Sequence, residues 1–325
     1  MRKFTSHIIA IAAVAFSSLS ASAMTPIFNM SIHCENDTAK ITQMLQKGFE
    51  IKDKPVTEII TAYANMLLDT PYVGGTLENS EGEKLVINVD ELDCMTFVET
   101  VYALTRTTLN GRYSWLDYAH NLENLRYRGG AMDGYASRLH YFSDWVIDNQ
   151  HRGNVREITR DFDGIRDMVR TINFMSQNRD KYPALADSLT YEKIKSVEIG
   201  YRQHKFAYIK STGFNNKKFV SVANSGDIIA MVTKTDNLDV AHLGLVIIDK
   251  EAKKPYIIHA SLTGKKVQIE KDDLAEFLRR NRSWAGVRVF RIIKYSTRCK
   301  PRRCGNSGRN SSLTCPTPPT TSNTT

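Results

Sequence analysis

Cys94 stands in the run Leu92-Asp93-Cys94-Met95-Thr96-Phe97-Val98-Glu99, where a polar approach passes into a helix-like stretch. About 150 residues later come two histidines on strand-like segments. His242 lies in Val240-Ala241-His242-Leu243-Gly244-Leu245-Val246, and His259 in Tyr256-Ile257-Ile258-His259-Ala260-Ser261. A thiol and two imidazoles are the parts of a nucleophile, its base and an orienting group. A free cysteine is most often a small buried apolar side chain. Asp93 moves Cys94 away from that role, because a cap-type residue before it places the thiol in the first turn of a helix. Unpaired amides and the helix dipole favour an anion there, so the thiol pKa is expected to fall from about 8.5 toward neutrality. The Cys94 amide is also placed to meet a developing oxyanion.

The midpoint between His242 and His259 falls between residues 250 and 251, inside a predicted hairpin loop. A near-symmetric hairpin makes the two rings cross-strand neighbours, with Cβ atoms about 5 Å apart. One ring then accepts the thiol proton while the other fixes its tautomer. The residues alone leave open which does which, and a one-residue loop shift would turn one ring to the other face. His140, in Arg138-Leu139-His140-Tyr141-Phe142, is expected on a helix, where packing is its readier role and a cleft position the alternative. His33, His120, His151 and His204 have no partner spacing. The chain has no His-Glu-x-x-His or Cys-x-x-Cys run, which disfavours a zinc hydrolase. Gly74-Gly75 is too short for a phosphate loop. No metal or cofactor is expected.

The elements that must position these residues follow from periodicity. Residues 37–50 read as a helix capped by Asn36 or Asp37. A second helix runs from Val56 to Leu68 through Ile59, Ile60, Tyr63 and Leu67, with Pro55 near its start. Residues 70–78, with Pro71, Gly74 and Gly75, form a turn-rich loop, and Leu85–Val89 a short strand. The Cys94 helix runs to Leu109 and stops at Asn110-Gly111. Residues 115–175 read as an inserted helical element able to narrow the site. From Lys218 strands are expected at 219–222, 227–232, 243–248, 256–258, 266–269 and 287–293, joined by short hairpin connectors. Helices first and strands later give an α+β fold with an antiparallel sheet.

Arg2 and Lys3, the apolar run Ile8–Phe16 and Ala21-Ser22-Ala23 have the layout of an export signal over residues 1–23. The mature domain is expected to span 24–296 in the periplasm or outside the cell. No later stretch is long and apolar enough for a membrane helix. The formal charge of +9 is concentrated at the ends: of 44 basic residues two lie in the signal and five after Thr297, leaving 37 against 35 acidic ones. A nucleic-acid partner is not expected. Residues 297–325, rich in Arg, Ser, Thr and Pro, cannot bury enough apolar surface to order themselves. With Cys94 free, Cys34, Cys299, Cys304 and Cys315 allow two bridges in three connectivities, a weak case since three of them lie in that tail.

Several runs together resemble the NlpC/P60 cell-wall hydrolases. They are Pro71-Tyr72-Val73-Gly74-Gly75, Asp93-Cys94, Ser225-Gly226-Asp227-Ile228-Ile229, His242-Leu243-Gly244-Leu245-Val246 and Ile258-His259-Ala260. Within that superfamily the chain is most similar to the N-acetylmuramoyl-L-alanine amidase-like branch. This rests on Gly75-Thr76-Leu77-Glu78, Leu92–Glu99, Leu139-His140-Tyr141-Phe142-Ser143-Asp144-Trp145 and Asp239-Val240-Ala241-His242, which fall between residues 70 and 295. The resemblance implies a papain-like core with Cys94 as nucleophile, His242 as base and His259 as the orienting residue. It places Tyr72 beside the nucleophile and oxyanion, with Gly75, Thr76, Glu78 and His140 toward substrate. The superfamily's usual Asp-Cys-Ser-Gly is here Asp93-Cys94-Met95-Thr96, which fits the amidase-like branch. The expected substrate is a muropeptide, cut by a monomer at the amide between muramic acid and L-alanine. Two other readings are a γ-D-glutamyl endopeptidase on the same site and a non-catalytic wall-binding protein.

Overall fold

The computed structural model describes residues 29–78 and 82–293; the expected export signal and tail lie outside them. In chain order the elements are β1 (Met30–Ile32), α1 (Asp37–Glu50), α2 (Val56–Met66), β2 (Leu85–Ile87), α3 (Cys94–Leu109), α4 (Trp115–Arg126) and α5 (Phe142–His151). Then follow β3 (Val155–Glu157), β4 (Ile165–Arg170), α6 (Phe174–Gln177), α7 (Ser188–Ile199), β5 (His204–Lys210) and α8 (Asn216–Val220). The last are β6 (Ile228–Thr233), β7 (Val240–Asp249), β8 (Lys254–Ser261), β9 (Lys266–Ile269), α9 (Leu274–Arg280) and β10 (Trp284–Ile292).

The expected α+β arrangement is present. In the main sheet strands pair in the order β4-β5-β10-β6-β7-β8-β9, with β3 also on β10, every pairing within it antiparallel; β1 and β2 pair in parallel. All six residues of β6 are buried, because the sheet is covered on both faces. Ile228, Ala230, Leu243, Leu245 and Ile258 pack with Phe97, Val98, Val101 and Leu104 of α3. Ile229, Met231, Val246 and Ile257 face the other way, onto Phe219, Leu274, Phe277 and Leu278. The period-2 alternation of a strand thus feeds two cores. Truncating a fully buried side chain such as Phe97 to Ala is expected to cost about 3–5 kcal/mol.

Three expectations are corrected. Residues 115–175 are not a purely helical insertion: α4 and α5 are there, but β3 and β4 belong to the main sheet, and β5 was not anticipated. The alternating charges of β4 read as polar helix, whereas the strand is half-exposed at a sheet edge. Residues 219–222 are not a strand. The Asn215 side chain accepts from the Lys218 N–H and starts the short helix α8, so a cap overrides the β propensity of Phe219 and Val220.

Candidate active site

Asp93 fixes the start of α3. Its Oδ1 accepts from the Met95 and Thr96 amides at 3.0 and 2.8 Å, and Thr96 Oγ1 accepts from the Asp93 amide at 2.8 Å. This reciprocal capping box seats Cys94 at the first helical position. Farther along, Glu99 Oε2 accepts from Arg126 Nε at 2.7 Å and Glu99 Oε1 from the Trp145 indole at 3.2 Å. The Ser143 amide donates to Asp239 at 2.5 Å, tying α5 to the start of β7. Glu99, Trp145 and Asp239 therefore orient the elements that carry Cys94 and His242.

The sheet opens where α3 arrives. Val246 bonds Asp227 and Gly226 through its N–H and C=O, so by strand alternation Gly244 and His242 face β6 while Leu243 faces β8. Pairing of β7 with β8 ends at Leu245 and Ile258, whereas β8 with β9 continues to Ser261 and Lys266. The Leu243 amide thus lies beyond the last β7–β8 pair, and it pulls the Cys94 thiol pKa down. The nucleophile candidate sits in the gap between diverging strands, against the peptide that joins His242 to Leu243. A Cβ on Gly244 would fall 2.6 Å from the Ile257 side chain and 2.8 Å from the Ile258 carbonyl; glycine there lets the strands close up immediately after His242.

The hairpin pairs Asp249 with Lys254, so its centre lies one residue beyond the expected one. That moves the partner of His259 by two positions, to Gly244. The histidines are diagonal rather than directly opposed, but the even shift keeps both on one face. His242 Nε2 lies 2.5 Å from His259 Nδ1. Trp284 of β10 stacks on His242 with planes 5° apart and centroids 6.0 Å apart; Phe277 meets the His259 ring edge-on at 5.5 Å.

The chain of contacts continues to a residue that sequence reasoning missed. His259 Nε2 lies 3.0 Å from Glu270 Oε1. Gln268 Nε2 donates to the same oxygen at 3.0 Å and Arg280 donates to Oε2 at 3.3 Å. Glu270 follows β9 with no motif around it. The available signal was strand parity: His259 pairs with Gln268, and two residues on, Glu270 returns to the same face. These groups, with residues 261–264, line a cleft of about 510 Å³. A second cavity, about 290 Å³ between Phe162, Phe214 and Lys218, contains no thiol or imidazole.

The electrostatics correct another expectation. The Cys94 thiol is not drawn toward neutrality: burial and then the charge of Asp93 push it up to about 12, against the pull of the Leu243, Cys94 and Met95 amides. Burial, then the proximity of His259, lowers His242 to about 3. The resting pair is a neutral thiol and a neutral imidazole. No hydrogen bond joins Cys94 to either ring among the described residues; such catalytic contacts commonly tighten only once substrate is bound.

Tyr72 lies beside the thiol. Its phenol is raised by burial, then by Cys94 and Asp93, so it stays protonated as a donor. The Tyr72 amide bonds the Lys265 carbonyl, fastening this loop to the start of β9. Gly75, at φ 77°, turns the chain away. Glu78 pairs with Arg138 at 2.8 Å, and His140 Nε2 contacts the Tyr135 carbonyl at 2.9 Å with its ring against Tyr135. Gly75, Thr76, Glu78 and His140 are not among the residues lining the histidine cleft. Cys34 is a free thiol; Cys299, Cys304 and Cys315 lie outside the described residues. Among the described residues no group of three or more His, Cys, Asp or Glu side chains is arranged to hold a metal ion, and no helix is long and apolar enough to cross a membrane.

Residues 62–287 match the family model described as AmiA-like, N-acetylmuramoyl-L-alanine amidase-like. The chain belongs to this family. A Bacteroides uniformis N-acetylmuramoyl-L-alanine amidase is 35% identical, with a TM-score of 0.68 over 73% of this chain and 99% of that one. A Bacteroides fragilis protein whose name proposes a xylanase is 33% identical, TM-score 0.66, over 71% of this chain and all of that one. A Legionella pneumophila protein shares the fold at 19% identity and TM-score 0.59, over 79% of this chain and 97% of that one. Among curated proteins the sequence has no match. The family match covers Cys94, His242, His259 and Glu270, and supports a cell-wall amidase function.

Proposed function

We propose that this amidase-family protein is an exported cysteine hydrolase of the NlpC/P60 superfamily, with a papain-like core, acting as a monomer on peptidoglycan fragments in the periplasm or outside the cell. The observation that carries the reading is the Cys94 thiol at the start of α3, acted on by the amide of Leu243, the residue that follows His242 in β7, together with the His242–His259 contact. In the bound complex Cys94 attacks the carbonyl of the lactyl–L-alanine amide. The thiol proton passes to His242 as the C–S bond forms, since neither group is charged at rest. The Cys94 amide and the Tyr72 hydroxyl are the donors at hand for the oxyanion. Protonated His242 then returns its proton to the leaving L-alanine amine, and water releases the acyl group from the thioester. A glycosidase needs two carboxylates flanking the bond it cuts; the cleft's lining supplies one, Glu270.

Mass spectrometry of defined muropeptides after incubation with the purified chain tests this. The expected products are the free sugar and the intact stem peptide, with Cys94→Ala slowed by at least about 10⁴-fold. Turnover by Cys94→Ala at the wild-type rate would exclude the cysteine mechanism. A stem peptide cut internally would move the assignment to a γ-D-glutamyl endopeptidase, and binding without turnover to a wall-binding protein.

A further inference from the structure

We propose that Glu270 is a positioning residue that sets the tautomers of both histidines, so that His242 presents an unprotonated Nδ1 to the Cys94 thiol. This rests on the cysteine-hydrolase reading above and adds a fourth member to its site. An ionised carboxylate only accepts hydrogen bonds. His259 Nε2, 3.0 Å from Glu270 Oε1, must therefore carry the proton. The other nitrogen of a neutral His259, Nδ1, is then bare, and it lies 2.5 Å from His242 Nε2. That contact is a hydrogen bond only if His242 Nε2 holds its proton, which leaves His242 Nδ1 as a free lone pair. The opposite assignment sets the lone pair of His259 Nε2 against a carboxylate oxygen at 3.0 Å, two acceptors facing each other.

Several groups keep this arrangement in place. Gln268 and Arg280 both donate to Glu270, Arg280 is also paired with Asp272 at 2.9 Å, and the bond from His259 holds the Glu270 carboxyl at about 2. Trp284 and Phe277 fix the ring planes. The charged groups that line the cleft with the pair are Glu270 and Arg280. When His242 takes the thiol proton, the positive charge is carried at the near end of a relay whose far end is negative.

The test uses the full chain with ¹⁵N-labelled histidine. Ring-nitrogen shifts near pH 7 are expected to show both His242 and His259 protonated at Nε2. Glu270→Ala is expected to give mixed tautomers at both rings and a kcat lower by about 10²-fold with KM little changed. Glu270→Gln, which keeps an acceptor oxygen toward His259, is expected to recover the tautomers and fall between the two in kcat. A wild-type His242 protonated mainly at Nδ1, or a Glu270→Ala protein with unaltered tautomers and kcat, would overturn the proposal. The wild-type spectrum decides even if the alanine variant fails to fold. It is also independent of turnover, so failure of the Cys94 mechanism and failure of the Glu270 role are read separately.

Discussion

Glu99 and Glu270 are both carboxylates bonded to a basic side chain, yet they sit in opposite electrostatic regimes. Glu99 lies 1% exposed between α3, α4 and α5. There burial outweighs the Arg126 bond and raises its carboxyl above the usual range. Glu270 lines the open cleft, and there the His259 bond outweighs burial and lowers it to about 2. A buried ion pair of the first kind costs nearly as much to desolvate as it returns, and specifies how elements meet more than it stabilises them. A carboxylate of the second kind, at a cleft wall with several donors on it, stays charged and can polarise its neighbour. The more motif-like of the two, in Cys94-Met95-Thr96-Phe97-Val98-Glu99, is therefore scaffold, and the one without a motif is the proposed positioning residue.

The largest effect that would break this contrast concerns stability. Glu99→Ala leaves Arg126 buried without its charge partner and is expected to cost about 3–5 kcal/mol, read from urea unfolding midpoints. Glu270→Ala gives up the bonds to His259, Gln268 and Arg280 but leaves no buried guanidinium unpaired, and should lower the same midpoint less. Equal stability losses in the two variants would remove the distinction between scaffold and relay.

The next effect is acid sensitivity. His242 and His140 are both lowered to about 3 by burial, while an unfolded histidine titrates near 6.5. Between those values the unfolded chain binds protons that the native state does not. Native stability is therefore expected to fall as pH drops from about 6.5 toward 3, by up to about 1.4 kcal/mol per pH unit for each ring. Glu270 adds to this below pH 4.5, its stabilisation being lost as pH falls toward 2. Glu99 acts in the opposite sense, its native state holding the proton to higher pH than the unfolded chain does. Unfolding midpoints at pH 7, 5.5 and 4 measure the net slope, and His140→Gln should make it shallower. A flat profile would mean that both rings take up protons freely in the native state.

The smallest effect sharpens the picture of the thiol. Asn caps a helix about as well as Asp, so Asp93→Asn keeps α3 while removing the charge next to Cys94. Iodoacetamide labelling of the Cys94 peptide at pH 8 should then rise roughly two- to fivefold. An unchanged rate would assign the raised thiol pKa to burial alone.

Much of the helical half was legible because its signals are local. The α1 range, the start and stop of α3 and the Asp93 cap all follow from periodicity and capping within a few residues. The β6–β9 hairpins were legible for the same reason. The edge strand β4 and its neighbour β5 were not: the alternating charges of β4 carry no core-facing stripe, and β5 finds its second partner only in β10, far along the chain. Among the site residues, Cys94, His242 and His259 were visible by type and context. Glu270 was not, because no spacing in the chain distinguishes it from any other surface carboxylate.

The sequence by itself determined that a thiol begins a capped helix and that two imidazoles occupy the strands flanking one hairpin, because capping and strand periodicity are short-range. Tertiary structure alone decided the register of that hairpin, the gap between β7 and β8 that receives the sulfur, and the carboxylate at the end of the histidine pair. It also reversed the expected direction of the thiol pKa. The amides of α3 act through local geometry that the chain encodes, whereas burial depends on what the rest of the fold places over the first helical turn, and here burial is the larger effect.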